Sequence, residues 1–360
     1  MSNKKKIGII GLKGLPAYGG GASVGENIIL QLKDRFDFVV YSVSSHTDLS
    51  TGYYNGYKQI VMKRIPFKRL NTLWYYIKSV LHALFVENYD LVHLHHRDAA
   101  FLIPLLQLKY KVILTTHGSF TIRDKWKKYR PYFRFQEKCF VKKADIVTCV
   151  SKNERRLYKK YINLLPKYIP NGISSVDTNH LPDIGYSDYI FFGAGRIIPS
   201  KGCDKMLAAL QKINYPGKIL IAGDFNQVRD YRKKIFQLAK NLDVVFLGLI
   251  KDKKLLLSYL YYSKLFIFPS NQEAMSMMLL EAASAKCRII CSDIIQNRDI
   301  FTHNEVLFFK TDNVNDLARK ITFALNNNNK MNNKAENIEK KLDNEYLWPK
   351  IAMRYQLLYK

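Results

Sequence analysis

The sequence is poor in acid and in cysteine. Thirty Asp and Glu stand against 57 Lys and Arg in 360 residues, a formal net charge of +27 at pH 7. The five cysteines, Cys139, Cys149, Cys203, Cys287 and Cys291, are odd in number, and only the last two lie close together. That usage excludes a small disulfide scaffold and reads as reduced thiols in a cytoplasmic chain, with no metal site expected. Long apolar runs are also missing. Ile7 to Leu12 ends at Lys13 and reads as a first strand rather than a signal core. Residues 98–108 read as one helix, and their apolar run, Ala99 to Leu108, contains Pro104 and falls well short of the roughly 20 residues that cross a bilayer. The one biased tract, Asn326 to Asn333, reads as a polar loop between helices. What remains is 48% hydrophobic, 13% aromatic and 24% charged, the composition of a globular protein long enough for two domains.

The positive charge is unevenly spread. Residues 1–180 carry 30 Lys and Arg against 12 Asp and Glu, residues 181–360 carry 27 against 18, and so two thirds of the excess lies in the first half. Two segments there interleave bases and rings: Lys63, Arg64, Lys68 and Arg69 leading into Trp74-Tyr75-Tyr76, and Lys125, Trp126, Lys127 and Lys128 within Arg123 to Phe135. Such a mixture suits an anionic membrane surface, where rings enter the headgroup layer and bases meet lipid phosphates. It also suits nucleic acid, or a solvated helix face with its aromatics turned inward.

Short apolar runs alternate with helical patterns along nearly the whole chain, the βαβ signature of a parallel sheet. One series of strands runs from Lys6 to Pro170 and includes Leu91 to His95, and a second runs from Tyr189 to Phe309 and includes Leu265 to Phe268. The loop-like stretch Gly172 to Asp188 separates them. The expected organisation is a first domain at 1–180, a second at 181–345 and a closing helix at 346–360. In doubly wound domains ligands bind beyond the carboxyl ends of the strands, so the chemistry belongs in residues that follow strands.

Three such segments stand out. Gly11-Leu12-Lys13-Gly14-Leu15-Pro16-Ala17-Tyr18-Gly19-Gly20-Gly21 follows the first strand and leads into a helix, an arrangement that lets backbone N–H groups approach an anion. Its spacing matches neither the dinucleotide fingerprint nor a Walker loop. Gly193 to Gly202 follows the first strand of the second series and carries Gly195, Arg196 and Lys201, a fork and a point charge suited to a diphosphate. Then comes Ser270 to Glu281, in which Glu273 begins or precedes a helix and Glu281 lies eight residues on, about two turns down the same face. An acid set among Met275, Met277, Met278, Leu279 and Leu280 is placed to accept hydroxyls of an elongated polyhydroxylated ligand.

Together these elements resemble the glycosyltransferase group 1 superfamily, the retaining family-4 enzymes of GT-B fold. The resemblance covers nearly the whole chain. It includes the glycine loop, Thr115-Thr116-His117-Gly118, Pro170-Asn171-Gly172-Ile173, the Gly195-Arg196 to Lys201-Gly202 stretch, the E-x7-E pair Glu273 and Glu281, and the end from Trp348 to Lys360. The start further resembles bacterial enzymes of capsule, O-antigen or exopolysaccharide assembly.

The resemblance implies two Rossmann-like α/β domains facing across a cleft, with the last helix crossing back to the first domain. It implies a UDP-, GDP- or dTDP-sugar donor, no required cofactor or metal, and a polyprenyl-diphosphate-linked saccharide acceptor at the inner membrane face, with no nucleic-acid partner. By matching position, Arg196 and Lys201 hold the diphosphate with Gly20 and Gly21 near it. Glu273 takes donor-sugar hydroxyls, Glu281 the ribose, with Ser276 and Met277 between them. His117 sits beside the anomeric carbon, and Gly248-Leu249-Ile250 meets the base. His93, His95 and His96 read as lining or packing.

The chain departs from the family pattern at Ala274-Met275-Ser276, where Gly-Phe-Gly is usual, and at Lys286 and Arg288, where Gly and Pro are usual. Ser23 and Ser174 stand where acids often do. Rival readings are a nucleotide-sugar epimerase of the same fold and a catalytically idle sugar-nucleotide or nucleic-acid binder.

Overall fold

The structure is a computed structural model describing residues 4–17, 20–67, 70–118 and 130–360. The chain divides into two compact units, residues 1–172 with Trp348–Lys360, and Ile173–Leu347. The division therefore falls at Gly172/Ile173, eight residues before the boundary expected from the loop-like composition of 172–188.

In the first unit the strands are β1 (Lys6–Lys13), β2 (Asp37–Val43), β3 (Gly52–Tyr54), β4 (Tyr57–Met62), β5 (Leu91–His95), β6 (Lys111–Thr116), β7 (Ile146–Cys149) and β8 (Lys167–Tyr168). They form one sheet in the order β3-β4-β2-β1-β5-β6-β7-β8, parallel except for the β3–β4 hairpin. That hairpin is absent from the sequence reading. Its turn is Asn55-Gly56 with φ of +48° and +89°, a pair that the twist of a two-residue hairpin demands and that Asn-Gly supplies. The second unit has β9 (Ile190–Arg196), β10 (Ile219–Asp224), β11 (Val244–Gly248), β12 (Leu265–Phe268), β13 (Ile289–Ser292) and β14 (Leu307–Phe309). Their order is β11-β10-β9-β12-β13-β14, all parallel. The central strands are buried on both faces, which is why they read as unbroken apolar runs rather than alternating ones.

Both sheets reverse their strand order next to the first strand of the unit, between β1 and β5 and between β9 and β12. At such a switch point the crossovers leave on opposite faces and open a crevice beyond the strand ends. The glycine loop follows β1, His96 follows β5, Arg196 ends β9, and Ser270 to Ser276 follow β12. Topology alone thus selects the segments that motif reading singles out.

The helix Trp348–Tyr359 belongs to the first unit. It packs on the helix Gly20–Leu32, its Tyr359 ring standing edge-on to Phe36 with centroids 5.4 Å apart. Trp348 is buried against Gly172, where an added Cβ would lie 2.4 Å from Trp348 Cε3.

Two expectations need correction. The Asn-rich run is not a loop: Asn326 ends one helix, and Asn328–Glu345 is a helix of 18 residues. Arg288 explains this, donating to Asn332 Oδ1 at 2.7 Å and Asn328 Oδ1 at 3.0 Å, while Lys286 pairs with Glu339 at 2.8 Å. The two residues that depart from the family pattern therefore fasten this helix, and side-chain contacts outweigh the loop propensity of asparagine. The second correction concerns 98–108, expected as one helix. It is a 3-10 segment, Arg97–Leu102, followed by the short helix Ile103–Leu106 with Pro104 in its first turn.

Candidate functional site

In the first unit the glycine loop is held by side chains around it. Ala17 N–H donates to Glu26 Oε2 at 3.1 Å, and Thr47 Oγ1 donates to the Leu15 carbonyl at 2.7 Å. Gly11, at φ +115°, sits where a Cβ would collide with the His95 carbonyl, so only glycine fits. Gly21 opens its helix against two imidazoles, and a Cβ there would lie 2.8 Å from His96 Cε1 and 2.9 Å from His117 Cδ2.

Four histidines crowd this end of the sheet. His93 and His95 alternate along β5 to the same face. His93 is sealed by Tyr359 Oη and Thr115 Oγ1, each at 2.7 Å, and reads as packing. His95 Nδ1 lies 3.3 Å from His117 Nε2 with the rings stacked, and the His96 ring is 4.8 Å from that of His117. Burial pushes His93 down to about 3, aided by His117, and His117 down to about 4, aided by the Arg97 guanidinium. Burial and its three neighbours hold His95 well below the ordinary imidazole range. His93, His95 and His117 are neutral at physiological pH, so His117 presents a hydrogen-bonding imidazole rather than a cation. Among the described residues no group of three or more His, Cys, Asp or Glu is placed to hold a metal ion.

Behind His117 lies a buried network that sequence reading misses. Arg97 Nε is 3.3 Å from Glu137 Oε1, and Gly118 N–H donates to Glu154 Oε2 at 3.3 Å. Burial raises Glu154 to about 7 against the pull of Arg97. Its signal in the sequence is slight, because one Arg and two Glu from three distant segments meet only through the fold.

In the second unit, Arg196 ends β9 with Gly195 exposed beside it, next in register to Asp224. Asp224 lies below the ordinary carboxylate range, first through Gln227, then through the Asn226 N–H, with the field of Arg196 adding to both. Gly202 adopts φ +71° and passes so close to the Pro269 carbonyl that a Cβ would lie 2.3 Å from it. Asn271 N–H donates to the Ser200 carbonyl at 3.0 Å. These contacts join the loop after β9 to the loop after β12, and across them Lys201 Nζ meets Glu273 Oε1 at 2.6 Å.

The geometry of the two glutamates differs from the sequence reading. Ser276 is the N-cap, its hydroxyl accepting from Leu279 N–H at 3.3 Å, so the helix is Met277–Ser284 and Glu273 precedes it by four residues. Eight residues are therefore not two helical turns. Glu273 rides the loop, and Glu281 alone sits on the helix. The first-turn N–H groups of Met277 and Met278 keep the donor capacity that suits an anion.

Glu281 is buried, and its carboxylate is paired with Lys253 Nζ. Burial raises its pKa, and Lys253 opposes the rise. Lys253 is a functional candidate that sequence reading misses. A base in the first turn of a helix, here Lys253–Tyr261, opposes the helix dipole, and that misfit is the signal of a partner elsewhere. The loop before it contains Gly248, at φ +70° with open space at its Cβ position, then the exposed Leu249, and Ile250.

Lys286, where the family has glycine, has φ +56°, so the backbone keeps a glycine-like conformation under a lysine side chain. Of the basic and aromatic surface residues, Lys63, Arg64 and Trp74 are exposed, and Tyr75 and Tyr76 are buried. Lys68, Arg69, Lys125, Trp126, Lys127 and Lys128 lie outside the described residues.

Two doubly wound units, with a glycine loop at one switch point and a cation–carboxylate cluster at the other, define the GT-B class. The family described as Glycosyltransferase Family 4 matches residues 18–176, and that described as Glycosyl transferases group 1 matches residues 183–341. The sucrose-phosphate synthase of Thermosynechococcus elongatus superposes with a TM-score of 0.82 over 99% of this chain and 98% of its own, at 20% identity. The chain belongs to the GT-B glycosyltransferases of these families. A 2-deoxystreptamine N-acetyl-D-glucosaminyltransferase of Niallia circulans is 27% identical over 62% of this chain and 64% of its own length. The capsular polysaccharide biosynthesis glycosyltransferase CapH of Staphylococcus aureus is 27% identical over 59% of this chain and 62% of its own length. The matches thus span less than two thirds of either curated relative.

Proposed function

We propose that this chain is a retaining glycosyltransferase that moves a hexose, deoxyhexose or N-acetylhexosamine from a nucleoside-diphosphate sugar to a saccharide acceptor carried on a polyprenyl diphosphate, in assembly of a capsule, O-antigen or exopolysaccharide. The observation that carries this reading is the Lys201–Glu273 pair, 2.6 Å apart, joined across two switch-point loops with Arg196 at the end of β9. The capsular relative supports the pathway class.

In this reading the second unit binds the donor. Arg196 and Lys201 neutralise the diphosphate, and Glu273 and Glu281 accept hydroxyls of the sugar and the ribose. As the glycosidic bond stretches, negative charge grows on the departing phosphate, and fixed cations lower the barrier without reorganising. The leaving phosphate takes the acceptor's proton on the same face. Retention follows without a carboxylate nucleophile paired at glycosidase spacing. His117, neutral, accepts or donates a hydrogen bond at the sugar.

A thermal-shift screen against UDP, GDP, dTDP, CMP and their sugars tests the reading, because a ligand at 100 times its dissociation constant stabilises a protein by about 2.7 kcal/mol. A selective rise with one nucleoside diphosphate is expected, and the anomeric configuration of the product then tests retention. No rise with any nucleotide overturns the proposal. Release of a free C2 epimer without transfer selects the epimerase.

A further inference from the structure

The helix Asn71–Phe85 lies over the first sheet and buries Tyr75, Tyr76, Ser79, Val80 and Ala83 against it. The opposite face of a surface helix is ordinarily polar. Here Leu70, Leu73, Trp74, Leu81, Phe85 and Val86 are exposed instead, Phe85 by 81% and Val86 by 67%. The spacing from Leu70 through Trp74 and Leu81 to Phe85 is helical, so these side chains make one continuous stripe. At its far end Lys109 Nζ donates to the Leu84 carbonyl at 2.9 Å and Tyr110 Oη to the Ala83 carbonyl at 2.6 Å, which ties the segment after Leu108, itself 79% exposed, to the end of the helix.

The charge around the stripe has one sign. No Asp or Glu occurs in Asn71–Phe85. Lys63 and Arg64 are exposed just ahead of it, and the Ile65 N–H donates to Asn71 Oδ1 at 3.1 Å, which holds that segment to the helix start. Lys78 Nζ lies 5.1 Å from the Trp74 ring centroid. The acids just past the helix end are engaged, Glu87 by Lys6 at 2.5 Å and Lys58 at 2.8 Å and Asp90 by the Lys6 N–H at 2.7 Å, while Asp98 acts on Tyr76, on the buried face of the helix. An exposed apolar stripe marks an interaction face, and a border of bases selects a negatively charged partner. A second copy of this chain would bring like charges together.

We propose that this face docks the protein on an anionic lipid surface, the stripe entering the interfacial layer while Lys63, Arg64, Lys78 and Lys109 meet lipid phosphates. The inference deepens the reading of a lipid-carried acceptor and names the surface that would present the enzyme to it. Among the described residues no helix is long and apolar enough to cross a membrane, so the contact is peripheral.

Flotation with vesicles of phosphatidylglycerol and phosphatidylcholine, against phosphatidylcholine alone, tests it. The wild-type chain binds the mixed vesicles, less so at high salt. Leu81→Ser with Phe85→Ser lowers partitioning by at least about tenfold, and Lys63→Gln with Arg64→Gln lowers it by roughly fivefold per base, both with an unchanged thermal midpoint. Wild-type protein that ignores the anionic vesicles, or folded variants that bind them equally, overturns the proposal. So does concentration-dependent self-association abolished by the same substitutions without lipid binding, which makes the face a contact between copies. Nucleotide thermal shifts on the same variants separate the two readings, because vesicle binding without nucleotide binding sinks the transferase and leaves the docking face standing.

Discussion

The Lys253 ammonium sits on the Glu281 carboxylate, so the buried acid assigned to the ribose is charge-paired from a different helix. Burial raises the Glu281 pKa and Lys253 opposes the rise. Removing the base leaves desolvation alone, and the carboxyl then protonates at higher pH. Lys253→Met is expected to keep the fold, the side chain being half exposed, while the loss of nucleotide affinity on acidification moves to higher pH. Lys253→Arg should restore the wild-type profile. Calorimetric titration across pH checks this, and coincident profiles for Lys253→Met and wild type would remove Lys253 from the site.

The proposed neutralisation of a diphosphate by Arg196 and Lys201 predicts that Arg196→Ala and Lys201→Ala each lower turnover by on the order of 10²-fold. Glu281→Gln should also cut turnover, since an amide cannot replace both acceptor oxygens. Circular dichroism and the thermal midpoint should stay near wild type for Arg196→Ala, whose side chain lies at an exposed strand end. Wild-type rates in folded variants would sink the assignment.

The histidine cluster predicts acid lability. His93, at about 3, and His117, at about 4, lie below the ordinary imidazole value, as does His95. Between those values and about 6.5 the unfolded chain binds more protons than the folded one, so stability falls as pH drops through that window. Each imidazole held neutral costs up to about 2 kcal/mol at about pH 5. Glu154 acts oppositely: raised to about 7, it adds stability below the ordinary carboxyl range that is lost as pH rises to about 7. Three imidazoles outweigh one carboxyl. Urea titrations across pH should therefore show a net loss on acidification that His93→Gln reduces and Glu154→Gln deepens.

Gly172→Ala places a Cβ 2.4 Å from Trp348 Cε3, whereas nothing lies within 4 Å of a Cβ added at Gly195. The first substitution is expected to destabilise by roughly 1–3 kcal/mol through overpacking, and Gly195→Ala by far less. Equal denaturation midpoints would show that the closing helix is not seated on Gly172.

Much of the fold was legible. Leu91–His95 and Leu265–Phe268 match the expected strands residue for residue, because strands buried on both faces read as apolar runs with clear ends. The β3–β4 hairpin escapes the sequence reading although Asn55-Gly56 announces it, since the exposed Tyr53 beside a half-buried Tyr54 in a three-residue strand gives no apolar run. The Asn-rich helix escapes the sequence reading because its anchors lie far off in the chain, Arg288 being 40 residues before Asn328 and Lys286 pairing with the still more distant Glu339. Arg196, Lys201, Glu273 and Glu281 stand out in the sequence from their place after strands, and the structure pairs Lys201 with Glu273. The spacing of the two acids misled, because a capping serine moved the helix start past Glu273.

What the sequence by itself determined is the class: two βαβ series, the glycine loop, and the cations and acids placed after strands, all set by local periodicity and turn chemistry that survive without tertiary context. Only the tertiary structure decided which charges meet. Lys201 met Glu273 and Lys253 met Glu281 because parallel strands distant in the chain bring their loops to the same edge of the sheet. His117 was set neutral beside His95 and His96 by burial, which no residue type announces. The outer face of Asn71–Phe85 is likewise an outcome of packing: large apolar residues lie on both faces of the helix, and the sheet covered only one side.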